Sequence, residues 1–200
     1  MKKLFIAFAL CVSMFNISSA SAAVTASEKL QLKAIEGALT VEKHLDENGV
    51  VLKVLGADGK EIFKSENLGS EEKLFMMGDK AVGLASHDFD DDGNPEILVS
   101  AFYGPKASGL YVFRYDAAAG KFAAVKFLNP VDAELSTENL VSDIRHESGD
   151  DMLVKEDGSL VALGLIYPSE AGQSPIEGLY TWKYADGMFN LVDKKPVEVK

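Results

Sequence analysis

The chain has 200 residues, 47% of them hydrophobic and 26% charged, with 31 acidic against 20 basic side chains. These proportions suit a folded globular protein and exclude a disordered or fibrous chain. The acidic excess repels phosphate backbones and anionic lipid, so nucleic-acid binding is not expected, whereas divalent metals and cationic partners are favoured.

At the N-terminus, Lys2 and Lys3 precede an apolar run over 4–12 and the small residues Ala20-Ser21-Ala22. This pattern predicts a signal peptide over 1–22, removed on export. It takes two basic and no acidic residues with it, which leaves 18 basic against 31 acidic and a net charge of −13. The lone cysteine, Cys11, lies inside the signal, so the mature chain can form no disulfide, thiolate nucleophile or zinc–cysteine site. A lipoprotein reading of Cys11 is disfavoured, because Leu10 stands where a small residue is expected. No later segment is apolar for long enough to span a bilayer, and 23–200 is the size of one domain.

The mature sequence is punctuated by turn signals, among them Asn48-Gly49, Asp58-Gly59, Gly93-Asn94, Gly104-Pro105, Asp157-Gly158 and Asp186-Gly187. Between them lie strand-length runs rich in Val, Ile, Leu, Phe and Tyr at 50–55, 96–103, 110–115, 160–167 and 179–184. Two segments, 27–35 and 136–144, admit either a short helix or a strand and loop. The expected fold is all-β, with antiparallel meander sheets in a small or partial β-propeller-like arrangement; a β-sandwich is the alternative.

Residues 88–96 carry the densest chemistry: Asp88, Asp90, Asp91, Asp92 and Glu96 place five carboxylates within nine positions. Like charges this close repel unless a cation gathers them. Alternate positions 88, 90 and 92 bring oxygens to one centre when the loop coils, Gly93 permits the sharp turn, Asn94 can present its backbone carbonyl and Glu96 can close the shell. An all-oxygen, flexible shell of this kind selects Ca²⁺. Asp91 falls between ligand positions and is expected to face water. An EF-hand is excluded because Val99 occupies the place of its bidentate Glu. His87 adjoins the loop as a strand-end residue, His44 and His146 lie elsewhere, and no two His have metal-ligand spacing.

Farther along, Gly109-Leu110-Tyr111-Val112-Phe113-Arg114-Tyr115 recurs by type as Gly178-Leu179-Tyr180-Thr181-Trp182-Lys183-Tyr184, displaced by 69 positions. Each copy follows an apolar strand and leads through a turn into another. Two related three-stranded units are therefore expected, at about 82–127 and 150–193. Strand periodicity puts Tyr111, Phe113 and Tyr115 on one face, and Tyr180, Trp182 and Tyr184 on the matching face. Packing between sheets is favoured over an aromatic platform for glycan or peptide, and Arg114 and Lys183 are expected to be solvated.

The acidic loop followed by the strand 97–99 resembles the calcium loop of FG-GAP or VCBS repeats, found in integrin-type β-propellers and secreted bacterial proteins. The resemblance implies side-chain ligands at Asp88, Asp90, Asp92 and Glu96 and a backbone ligand at Asn94. Glu96 departs from the family's usual Asp, and the second unit carries only Glu156-Asp157-Gly158-Ser159 at the corresponding place. The expected function is a calcium-binding β-repeat interaction module, periplasmic or secreted, in which Ca²⁺ is structural and the partner is a protein or glycan. An inhibitor or immunity-type partner of a secreted enzyme is the alternative, and a hydrolase with an unrecognised carboxylate site ranks third, since neither a nucleophile elbow nor a phosphate loop is present.

Overall fold

A computed structural model describes residues 22–128, 136–144, 146–168 and 172–197. The predicted signal peptide, apart from Ala22, lies outside the described residues. All regular structure among them is β, and none of it is a helix long and apolar enough to cross a membrane.

The first sheet is an antiparallel meander of β1 (Ala23–Leu30), β2 (Leu39–Asp46), β3 (Gly49–Leu55) and β4 (Glu61–Lys64). The chain then alternates between two further sheets. It enters the second with β5 (Glu71–Glu72), visits the third with β6 (Phe75–Met77) and β7 (Lys80–Val82), and returns with β8 (Leu84–His87), β9 (Glu96–Phe102), β10 (Ser108–Asp116) and β11 (Lys121–Ala124). After β12 (Phe127–Leu128) in the third sheet and β13 (Leu140–Ser142) in the second, β14 (Met152–Val154), β15 (Leu160–Ile166), β16 (Ile176–Ala185) and β17 (Met188–Pro196) complete the third.

The second sheet is the middle layer, because its strands feed two cores from opposite faces. Ile97, Val99, Ala101 and Phe113 join Val41, Leu52 and Val54 of the first sheet, whereas Leu98, Leu110 and Val112 join Met152, Leu160, Ala162 and Phe189 of the third. Every residue of β9 is consequently buried. This is the near-continuous hydrophobic run expected of a strand covered on both sides.

The two segments that admitted a helix are strand and loop. Residues 27–30 belong to β1, which pairs with β2 through Leu30 opposite Leu39, and residues 140–142 form β13, which pairs with Ser108 to Leu110 of β10. Short amphipathic pieces of this length gain more from completing a ladder than from an isolated helical turn. The repeated sequences form equivalent meanders in different sheets, β9–β10–β11 and β15–β16–β17. Gly109 stands opposite Ala101 and Gly178 opposite Gly164; Phe113 faces Ile97 and Trp182 faces Leu160.

The crossing from β5 to β6 is pinned by a buried polar network. Lys73 is paired with Asp151 at 2.5 Å, and neither side chain has solvent exposure. The Lys73 carbonyl accepts from Ser100 Oγ at 2.7 Å and from Lys43 Nζ at 3.1 Å, and Lys43 is itself paired with Glu72 at 2.5 Å. Asp151 also accepts from Ser108 Oγ at 3.3 Å. Lysines this deeply buried require such partners, since an unpaired charge in this environment costs several kcal/mol.

Candidate metal centre

The acidic loop closes the hairpin between β8 and β9, whose ladder ends at His87 opposite Glu96. At its centre, one carboxylate oxygen each from Asp88, Asp90 and Asp92 lie within 4.8 Å of one another. Backbone amides hold this shape. Asp88 Oδ1 accepts from the Asp92 amide at 3.1 Å and its Oδ2 from the Gly93 amide at 2.9 Å, while Asp92 Oδ1 accepts from the Asn94 amide at 2.7 Å. Asp91 is exposed and has φ 56°, and Gly93 has φ 84°. The two left-handed residues flank Asp92, and this coils the chain so that alternate side chains converge.

The loop is also anchored from outside. The Lys33 amide donates to the Gly93 carbonyl at 3.0 Å, and the Ala34 amide donates to Asn94 Oδ1 at 2.8 Å. A side chain at position 93 would meet Lys33 Cδ at 3.2 Å, so glycine serves both the turn and the close approach. Asn94 thereby ties the loop to the segment after β1, and its side-chain oxygen is used in doing so.

Glu96 lies deeper than the three aspartates, only 3% exposed. Its Oε2 accepts from the Phe89 amide at 3.2 Å and its Oε1 from the Tyr184 hydroxyl at 3.2 Å. Burial raises its pKa to about 7, the Asp90 charge adds to the effect, and the Phe89 amide and Tyr184 hydroxyl oppose it. Asp90 is raised too, first by loss of surrounding water and then by the charges of Asp92 and Asp88, with Arg114 opposing. Both shifts describe negative charge lacking enough compensation, the condition a bound cation relieves.

Arg114 departs from the solvated role expected of it. It is half-buried and donates to the Tyr184 hydroxyl at 3.4 Å, so Arg114, Tyr184 and Glu96 form a chain behind the carboxylates. Lys183 is exposed, as its position in the repeat implies. Beneath the loop, Phe89 packs on Phe189 and Tyr184 with centroids 5.0 and 5.7 Å apart, and Phe127 stacks on Phe189 at 4.9 Å. Within the aromatic repeats, Phe113 and Trp182 serve the cores, packed against Phe63 at 5.4 Å and Phe127 at 5.6 Å, whereas Tyr111 and Tyr180 also border clefts.

No histidine joins the acidic cluster. His87 ends β8 and packs edge-on against Phe89, His44 pairs with Glu42 at 2.8 Å, and His146 pairs with Asp150 at 3.1 Å. In the second meander the corresponding connection spans only residues 155–159, and Asp157 Oδ1 is occupied by the Ser159 amide and hydroxyl. Lys33, Ala34 and Tyr184 were not legible as site residues. Their contribution comes from backbone amides and a hydroxyl delivered across 60 and 88 positions. No family model, curated protein sequence or solved structure matches the chain.

Proposed function

We propose that this protein is an exported calcium-stabilised β-repeat binding module of FG-GAP or VCBS type, with Ca²⁺ held by the loop 88–96 in a structural role. The observation that carries this reading is the convergence of the Asp88, Asp90 and Asp92 oxygens within 4.8 Å at a hairpin tip whose backbone is fixed by amide hydrogen bonds. Several carboxylate oxygens gathered on an irregular loop suit Ca²⁺ better than Mg²⁺, which demands near-ideal octahedral geometry. Glu96 stands behind the three aspartates as the residue whose charge the ion would neutralise, and Asn94 as the anchor that holds the turn. The ion would tie the middle sheet to the segment after β1 through Lys33 and Ala34.

Titration calorimetry of the mature protein with calcium chloride, and separately with magnesium chloride, tests this reading. One calcium per chain, with magnesium much weaker, supports it. No saturable calcium heat would overturn it. Export, to the periplasm or beyond it, is supported by the basic, apolar and small-residue pattern over 1–22, and intact-mass analysis of the exported protein should give an N-terminus at Ala23.

A further inference from the structure

A cleft opens at the end of β9 away from the acidic loop, between residues 67–70, Tyr103, Tyr111 of β10 and the segment 137–141. It measures about 640 Å³ and is open to solvent. Its walls carry Asn67, Ser70, Thr137 and Asn139, and its aromatic surface comes from Tyr103 and Tyr111. None of its nine lining residues bears a charge, in a protein 26% of whose residues are charged. Such a lining discriminates against phosphates, nucleotides and ionic peptides, which need compensating charge when desolvated.

The cleft's two tyrosines and Asn139 pack together over the buried Gly109. A Cβ at Gly109 would lie 2.5 Å from Asn139 Nδ2, 3.1 Å from Tyr111 Cε2 and 3.2 Å from Tyr103 Cε1, so the glycine lets the two rings and the amide sit side by side on β10. The Tyr111 hydroxyl donates to the Leu68 carbonyl at 2.6 Å, and this fixes that ring. Tyr103 is hydrogen-bonded to Asn139 and leaves 41% of its surface exposed. Thr137, Asn139 and Val141 also border a second cleft of about 180 Å³, lined further by Tyr180, Trp182 and one charged residue, Asp143.

We infer that the Tyr103–Tyr111–Asn139 cleft is a subsite for a neutral saccharide. A pyranose presents an apolar face of C–H groups and a rim of hydroxyls. The exposed Tyr103 ring offers the stacking surface, and the amide and hydroxyl side chains offer uncharged donors and acceptors at its edge. The second cleft lets a longer chain continue past Thr137. This inference rests on the reading of the protein as a binding module and supplies the ligand class that reading leaves open.

The test uses the mature, calcium-loaded protein and saturation-transfer NMR with neutral gluco-, manno-, galacto- and N-acetylglucosamine oligosaccharides, alongside an acidic and a basic peptide as controls. At least one neutral saccharide should bind, with Tyr103→Ala weakening it about tenfold, the loss expected for removing a stacked ring, and Tyr103→Phe retaining most of the affinity. Tyr103→Phe should keep the parent's melting temperature, and Tyr103→Ala should remain folded at the assay temperature, as its own melt checks. Saccharide binding that is indifferent to Tyr103→Ala, binding of peptide alone, or no saccharide binding by protein that still responds to calcium would each overturn the subsite. Absence of any calcium response would instead strike the parent reading.

Discussion

Lys73 and Asp151 form an ion pair of 2.5 Å with no exposed side-chain surface on either partner, and it joins the second sheet to the third at the point where the chain crosses between them. Removing the Asp151 carboxylate strands the Lys73 charge together with the Ser108 hydroxyl that donates to it. Asp151→Ala should therefore cost about 3 to 5 kcal/mol in chemical denaturation. The double variant Lys73→Met with Asp151→Leu should be distinctly more stable than the single one. Equal losses would mean that shape rather than charge matters at the crossing.

The aromatic repeats should behave as core elements of unequal weight. Phe113 is 5% exposed and packs on Phe63, so Phe113→Ala should cost about 3 to 5 kcal/mol. Trp182 is only half-buried and should cost less when truncated. Denaturant melts of the two variants check the ranking.

Most of the fold was legible because its information is local. Strand-length apolar runs between glycine turns announced β9, β10, β15 and β16, and the recurrence of Gly109 to Tyr115 as Gly178 to Tyr184 announced two similar meanders. The acidic loop was legible for the same reason, since ligand alternation at 88, 90 and 92 is a spacing within one turn. What was not legible depends on long-range placement. The seating of Lys33 and Ala34 on the loop, the turn of Arg114 toward Tyr184, and the pairing of Lys73 with Asp151 across 78 positions have no local signature. The segment 27–35 was ambiguous because only the arrival of β2 makes its first part a strand.

Glu96 should give the calcium-free protein a recognisable pH response. Its pKa rises from an ordinary 4.5 to about 7 on folding, so the native state binds the proton more tightly than the unfolded chain does. The stability linked to that proton is fully present below pH 4.5 and is lost as pH rises through about 7. Glu96→Gln should flatten this decline in melts run in a chelator between about pH 4 and 8, a range that brackets the shift from 4.5 to about 7. A parent protein whose stability rises steadily across the range, with no difference in the variant, would contradict the assignment.

Calcium should reverse that response, because the ion is held best when Glu96 and the three aspartates in front of it are all ionised. The apparent calcium affinity should consequently fall as pH drops below about 7, and it should do so less in Glu96→Gln. Titration calorimetry at two pH values reads both effects.

The melting temperature of the mature protein with and without calcium tests the central claim most directly. A site with Kd on the order of 10⁻⁴ M at about 1 mM calcium adds about 1.4 kcal/mol, a rise of roughly 3 to 6 °C for a domain of this size. Asp90→Ala should abolish the rise. Asp91→Asn should preserve it, because Asp91 is exposed and asparagine tolerates its φ of 56°. A rise of several degrees that vanishes with Asp90→Ala and survives Asp91→Asn is the predicted result; no rise in the parent, or equal loss in both variants, would contradict coordination at this loop.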